Sequence, residues 1–276
     1  MSTFGFIAPE DIWSARSEQY FNQVLAGIED AVAGAGHTVL TRAVASREEE
    51  MAAYRDWAAR GTVAAVVLRD LVPEDPRPAL LAELGLGHVL EGDVVQDGEA
   101  PSVTVDNAAV MRGVLDALRS RGLERIAHLG GPQGLVHSAL RRGAYLEWCA
   151  AAGETPRTAE GDYTGDSGAR ALDALLTTAD DGPDVLLADN DAMALSALER
   201  ARLRGIAVPG TLSIVSWDDS MACQLHEPPL AALGAAPRAT GAAVGRALSA
   251  LVEQPPRVLH ERRPQPVLLD RGTLRG

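Results

Sequence analysis

Short apolar runs return through this chain at intervals of roughly 25–35 residues, with room for a helix between each pair. Phe4–Ala8 reads as a first strand ending at Pro9, and the stretch Glu10–Arg16 after it is loop-like. A stripe of Phe21, Leu25, Ile28 and Val32 predicts a helix over 17–34, stopped by Gly34 and Gly36. His37–Thr41 is a second strand, Arg47–Arg60 a second helix and Val63–Leu68 a third strand. The Pro-rich 73–78 opens a short helix, and Gly87–Glu91 is a fourth strand. Strand and helix alternating in this way is the rhythm of right-handed βαβ units, which lay their strands into a parallel sheet.

Around Val94–Ala100 the rhythm lapses into a polar loop, a candidate boundary, and Ser102–Val105 leads out of it. Asp106 then stands where it can N-cap a helix carrying Val110, Val114 and Leu118 and ending at Gly122. Ile126–Leu129 is a strand followed by the turn Gly130-Gly131-Pro132, with helices expected over 136–152 and 166–179. Residues 185–219 repeat the unit in its fullest form. Val185–Ala188 ends in Asp189-Asn190-Asp191, a helix-length stretch follows, and Leu212–Ser216 ends in Trp217-Asp218-Asp219. Pro228-Pro229-Leu230 and Gly234 mark a crossing of the chain, Pro237 starts a helix with Val244, Leu248 and Leu251, and Val258–His260 and Pro266–Asp270 are short closing runs. The expected fold is α/β, with two doubly wound parallel-sheet lobes. Ligands of such sheets bind beyond the carboxyl ends of the strands, so the polar clusters at 189–191 and 217–219 should face one cleft.

Composition narrows the partners. The 276 residues carry 46% hydrophobic side chains, enough for a sizeable core, and a net charge of −13. All 25 basic residues are arginine, yet the acidic excess makes this chain alone a poor binder of a phosphate backbone. Two cysteines, Cys149 and Cys223, form neither a metal cluster nor a disulfide framework, as expected of reduced thiols in the cytoplasm. No signal peptide is expected from the opening residues, and no segment reaches the ~18 uncharged apolar residues of a membrane span.

Several short patterns suggest chemistry and fail on context. Gly165-Asp166-Ser167-Gly168 resembles a serine-protease tetrapeptide, but the chain is α/β, no Ser/His/Asp order fits, and Ser167 lies near a helix start. Gly130-Gly131-Pro132-Gln133-Gly134 lacks the spacing of either glycine-rich phosphate loop. Of the acidic pairs, Asp180-Asp181 reads as solvated, and one acid of each other pair, Asp191 above all, reads as a helix or turn cap; neither a metal nor a cofactor is implied. His128, inside a strand, reads as a satisfied core residue, whereas His137, just past a strand end, can line the cleft. Aromatic residues are only 4% of the chain. Phe21 belongs to the core stripe, while Trp13, Tyr20, Tyr163 and Trp217 are candidates to cover a sugar ring or base.

Beyond pattern, several motifs agree in order. Asn190-Asp191-Ala192-Met193-Ala194-Leu195, Gly205-Ile206-Ala207-Val208-Pro209, Ser213-Ile214-Val215-Ser216-Trp217-Asp218-Asp219 and Pro228-Pro229-Leu230 together resemble the core signature of the lac-repressor-type (LacI/GalR) transcriptional regulators. Gly27-Ile28-Glu29, Val105-Asp106-Asn107, Ile126 to Gly131 and Gly161-Asp162-Tyr163 fall where that family has similar residues. The resemblance implies a periplasmic-binding-protein-like fold with three interlobe crossovers. The lobes would be 1–104 with 235–262 and 105–234 with 263–276, with the ligand in the cleft between them. It assigns effector contacts to Asp93, His137, Arg141, Tyr163, Asn190 and Asp218: Arg141 would grip the effector with its fork of donors, carboxylates would accept from hydroxyls, and Tyr163 would cover the apolar face. Ala144, Ala231-Ala232 and Ala235 depart from the pattern and imply a less polar wall on that side.

The function so implied is that of an effector-binding and dimerisation domain. It would be a cytoplasmic homodimer without enzymatic activity, sensing a sugar or related polyol, or a purine. Operator DNA would be reached only through a helix-turn-helix head, which the family carries ahead of the first strand and which is expected to have been cut from this chain. A solute-binding protein of a transport system and an α/β enzyme acting on a sugar or nucleoside are the competing readings.

Overall fold

The computed structural model describes residues 1–10, 19–93, 100–177, 182–253 and 257–276. They form two compact units, Met1–Val105 with Ala236–Pro264 and Asp106–Ala235 with Gln265–Gly276, so the chain passes between units three times.

In the first unit a six-stranded sheet has the order β11-β5-β4-β3-β1-β2, parallel throughout. Its strands are β1 (Thr3–Pro9), β2 (Thr38–Val44), β3 (Ala65–Leu68), β4 (Gly87–Glu91), β5 (Ser102–Thr104) and β11 (His260–Arg262). Alternation along β1 decides the layering. Phe4, Phe6 and Ala8 pack under α1 (Gln19–Gly34) and α9 (Pro237–Val252), against Val24, Ile28, Val244 and Leu248. On the opposite face Gly5 receives the ring of Trp57 from α2 (Arg47–Arg60), and α3 (Arg77–Glu83) buries Leu81. Helices on both faces explain why β1 and β3 read as continuous apolar runs instead of alternating ones.

The second unit repeats the plan with the order β12-β10-β9-β8-β6-β7. Here β6 (Ile126–Gly130), β7 (Arg157–Glu160), β8 (Val185–Ala188), β9 (Ser213–Ser216) and β10 (Ala231–Gly234) are parallel, and β12 (Val267–Leu269) closes the edge antiparallel. On one face α6 (Gly165–Thr177) and α7 (Asp191–Leu203) cover Leu129, Leu186 and Ile214. α4 (Asn107–Arg119) packs against α5 (Val136–Ala152), and α5 lies against β6. Asp106 caps α4, accepting from the Ala109 amide at 2.8 Å.

The structure corrects the sequence reading in four places. Strand β7 and the short helix α8 (Met221–Leu225) were not expected. β7 is an edge strand whose alternate side chains are exposed, so it shows no apolar run. Residues 231–234 are a buried strand, β10, and not only a crossing; alanine and glycine carry little strand propensity, and burial between β9 and β12 overrides it. The first closing strand, β11, starts at His260, two residues beyond the start of the expected run at Val258.

Candidate functional site

Because the strands of the second unit are parallel, residues just past β6, β7, β8 and β9 gather at one edge of its sheet. Asp189, following β8, is the hub there. It is 2% exposed. Its Oδ1 lies 3.0 Å from His128 Nε2, and its Oδ2 accepts from the Gly131 amide at 3.0 Å. Arg141 Nη1 stands 3.6 Å from the same carboxylate. Burial alone would raise this carboxyl. The charges of Arg141 and His128, with the hydrogen bonds from His128 and Gly131, outweigh that penalty and hold it at about 2.

Arg141, one turn into α5, is fixed on three sides. Its Nε donates to Asn107 Oδ1 at 2.7 Å, its Nη1 donates to the Asp189 carbonyl at 3.3 Å, and its guanidinium lies 3.9 Å over the Trp217 ring. A planar cation held this way is oriented before any ligand arrives. The Trp217 ring, itself buried, is the floor of that stack.

Tyr163 is held as firmly. It adopts φ +66°, a left-handed conformation costly for a side chain of this size. Its hydroxyl lies 2.8 Å from His137 Nε2 and 2.9 Å from Ser138 Oγ, and its carbonyl accepts from Asn190 Nδ2 at 2.9 Å. A Cβ on Gly131 would overlap the Tyr163 ring, so glycine is required there by close approach. Asn190 Oδ1 in turn accepts from the Met193 amide at 3.0 Å and caps α7. The cap is therefore Asn190, and not Asp191 as expected, which is the first helical residue. The extended backbone of Asn190 at the strand end suits an N-cap, whereas Asp191 already lies inside the helix.

Of the residues singled out from the sequence, His137, Arg141, Tyr163, Asn190, Trp217 and Asp218 stand at this edge. The first five are joined through direct contacts or through Asp189. Asp218 follows Trp217, its amide donating to Ser216 Oγ at 3.1 Å, while Asp219 points away into a two-pronged pair with Arg271 at 2.6 and 2.8 Å. Tyr20 and Asp93 belong to the first unit, where the Tyr20 hydroxyl donates to Glu91 Oε1 at 3.2 Å, two residues before Asp93. Trp13 lies outside the described residues, as does the Asp180-Asp181 pair. Ser167 is structural: its hydroxyl donates to the Thr164 carbonyl and accepts from the Asp162 amide. Ala231 and Ala232 are enclosed in β10. Among the described residues no three His, Cys, Asp or Glu side chains are grouped as a metal would need.

Three contributors escaped the sequence reading as site residues: Asp189 as hub, and Asn107 and Ser138 behind Arg141 and Tyr163. Asp189 carries a signal, a charged residue directly after a fully buried strand.

Comparison with known proteins accords with this geometry. A family model described as a periplasmic binding protein-like domain matches residues 115–274. The HTH-type transcriptional regulator CelR of Thermobifida fusca is 34% identical over 66% of this chain, and the HTH-type transcriptional repressor CytR of Escherichia coli is 27% identical over 77%. The chain spans 55% and 63% of those two proteins' own lengths. Among solved structures, a LacI family transcriptional regulator from Bifidobacterium animalis subsp. lactis superposes with a TM-score of 0.89 at 28% identity, covering 99% of this chain and 97% of that one. The regulator CelR in complex with cellobiose does so with a TM-score of 0.89 at 26% identity, covering 99% and 84%. The chain belongs to the LacI family of transcriptional regulators and has the architecture of their periplasmic-binding-protein-like effector-binding core.

Proposed function

We propose that this chain senses a small hydroxyl-rich effector, a sugar or related polyol, through the carboxyl edge of the second unit's sheet. The observation that carries this reading is Arg141. It is a nearly buried cation with an aromatic floor, positioned by Asn107 and Asp189, at the sheet edge that also carries Tyr163 and Asp218. Donor fork, carboxylate and ring are the parts that hold a saccharide. The cellobiose bound to CelR supports the choice of a sugar over a purine. The role is binding, not turnover. Effector binding shifts the balance between arrangements of the domain, and that shift governs DNA binding by a helix-turn-helix head in a cytoplasmic homodimer. Exposed Met221 and Leu225 on α8 give self-association an apolar surface.

A thermal-shift screen of neutral mono- and disaccharides, cellobiose among them, and of purines tests the reading. At least one saccharide should raise the Tm. Calorimetric titration with that sugar should show affinity lost by about a hundredfold in Arg141→Lys, which keeps the charge and removes the fork. A screen answered only by purines would replace the sugar. No response, or unchanged affinity in the variant, would overturn the assignment.

A further inference from the structure

Past β12 the chain stays with the second unit and is tied to both β9 and β10. Thr273 is fully buried. Its Oγ1 donates to the Ile214 carbonyl at 2.7 Å and accepts from the Ala231 amide at 2.8 Å, and its carbonyl accepts from the Ile214 amide at 2.9 Å. The Arg275 amide donates to Ser213 Oγ at 3.1 Å, and a Cβ on Gly272 would overlap that of Pro228. A backbone fixed in this way aims the side chain of Arg271. Its Nη1 and Nη2 donate to the two carboxylate oxygens of Asp219 at 2.6 and 2.8 Å, and Nη1 also donates to the Leu230 carbonyl, just before β10, at 3.0 Å. The two paired side chains are only 19% and 13% exposed.

Asp219 is two residues past Trp217, so the pair grips the far end of the turn that carries Trp217 and Asp218. The near end is held locally: the Trp217 amide donates to the Ala188 carbonyl at 2.8 Å, and Ser216 Oγ donates to the Asp218 carbonyl at 2.7 Å. Arg271 adds a tether from 52 positions along the chain. A two-pronged, charge-assisted pair fixes direction as well as distance. That direction matters because the Trp217 ring lies under the Arg141 guanidinium, and a shift of the turn tilts the floor on which the donor fork rests. Binding groups keep their geometry only when the side chains behind them are themselves locked. We infer that Arg271 is a positioning residue for effector binding, which by holding Asp219 sets the place of Trp217 beneath Arg141 and of Asp218 beside it in the chain. The closing segment thus completes the effector-binding edge from the far end of the sequence. The inference rests on the sugar-sensing reading above and adds the residue that holds its aromatic floor.

The test joins two measurements on the full chain: calorimetric titration with cellobiose, and fluorine NMR of protein labelled with fluorotryptophan. The Trp217 resonance is identified by its loss in Trp217→Phe. Arg271→Lys keeps the charge and removes the two prongs, and Asp219→Asn removes the counter-charge. Each should move the Trp217 resonance and weaken cellobiose binding by about tenfold, as loss of a supporting partner does at other sites. The double variant should be no weaker than the worse single one, because both break one pair. Arg200→Met is the comparison. It breaks a two-pronged pair with Asp173 that joins α7 to α6 in the same unit, and it should lower the Tm while leaving the resonance and the affinity as in wild type. Thermal unfolding identifies any variant that fails to fold; if Arg271→Lys does, Asp219→Asn carries the test. An unmoved Trp217 resonance or an unchanged cellobiose affinity in either folded variant overturns the inference and leaves sugar sensing in place. An equal loss of affinity in Arg200→Met overturns it too, since the effect would then be one of stability. Failure of wild-type protein to bind cellobiose overturns the inference outright, and the wider screen then decides whether sugar sensing falls with it.

Discussion

Asp189 is buried at the second unit's edge, and its behaviour with pH follows from its surroundings. Its folded-state value of about 2 lies below the ordinary 3.8, so its ionised form stabilises the fold. That contribution, about 2 kcal/mol, is fully present above pH 4 and is lost as the pH falls toward 2. Asp189→Asn should be less stable at neutral pH, because the Arg141 guanidinium loses its buried counter-charge. It should also lose about 2 kcal/mol less than wild-type protein between pH 5 and pH 2, read as unfolding free energy in urea. Equal acid losses in the two proteins would return the Asp189 carboxyl to its ordinary value. The sequence reading placed Arg141, Tyr163, Asn190 and Trp217 at strand ends, and the structure assembles them on one edge. It could not see the wiring between them. Whether Asn190 or Asp191 caps α7, and whether Asp189 bonds His128, depends on side-chain directions across residues up to 61 positions apart.

At the scale of elements, α1 and α9 of the first unit approach each other closely, through glycines. A Cβ on Gly27 would overlap the Arg238 carbonyl oxygen, and one on Gly241 would overlap that of Val24. Glycine inside a helix costs about 1 kcal/mol relative to alanine, so helix propensity alone favours replacing either. The clash here is with backbone that cannot rotate away, and it wins. Gly241→Ala should destabilise the protein by about 3 kcal/mol or more. Gly113→Ala, in α4 where nothing stands within 4 Å of the new carbon, should be neutral or stabilising by about 0.5–1 kcal/mol. Chemical denaturation of the two variants gives the comparison, and a stable Gly241→Ala would mean the helices can separate at little cost. Helices α2 and α5 and strand β4 begin and end at the residues expected of them; Ser46 and Gly61 cap the two ends of α2, and left-handed Gly153 stops α5. Strand β7 escaped because it has no apolar run of its own, and β10 because alanine and glycine carry little strand propensity; their sheet neighbours place both.

The whole molecule is dominated by its charge. A net −13 over 276 residues repels a polyanion, and nucleic-acid affinity at physiological salt comes largely from cations neutralising phosphates. Many of the 25 arginines are also already engaged. Arg77 is buried against Asp75 and Glu50 and Arg141 against Asp189, while Arg200 and Arg204 pair with Asp173 and Arg271 with Asp219 nearer the surface. A cation paired with a carboxylate has to break that pair before it can release a counterion from DNA, so little of the positive charge can act on a duplex. This chain by itself should therefore show no binding to double-stranded DNA by fluorescence anisotropy at about 150 mM salt, with or without a saccharide that raises its Tm. The same chain joined to a helix-turn-helix head should bind, and the saccharide should change that affinity through a domain that does not itself touch DNA. Salt-dependent binding by the chain alone would show that a local basic surface outweighs the net charge, and would remove the need for a separate DNA-reading head.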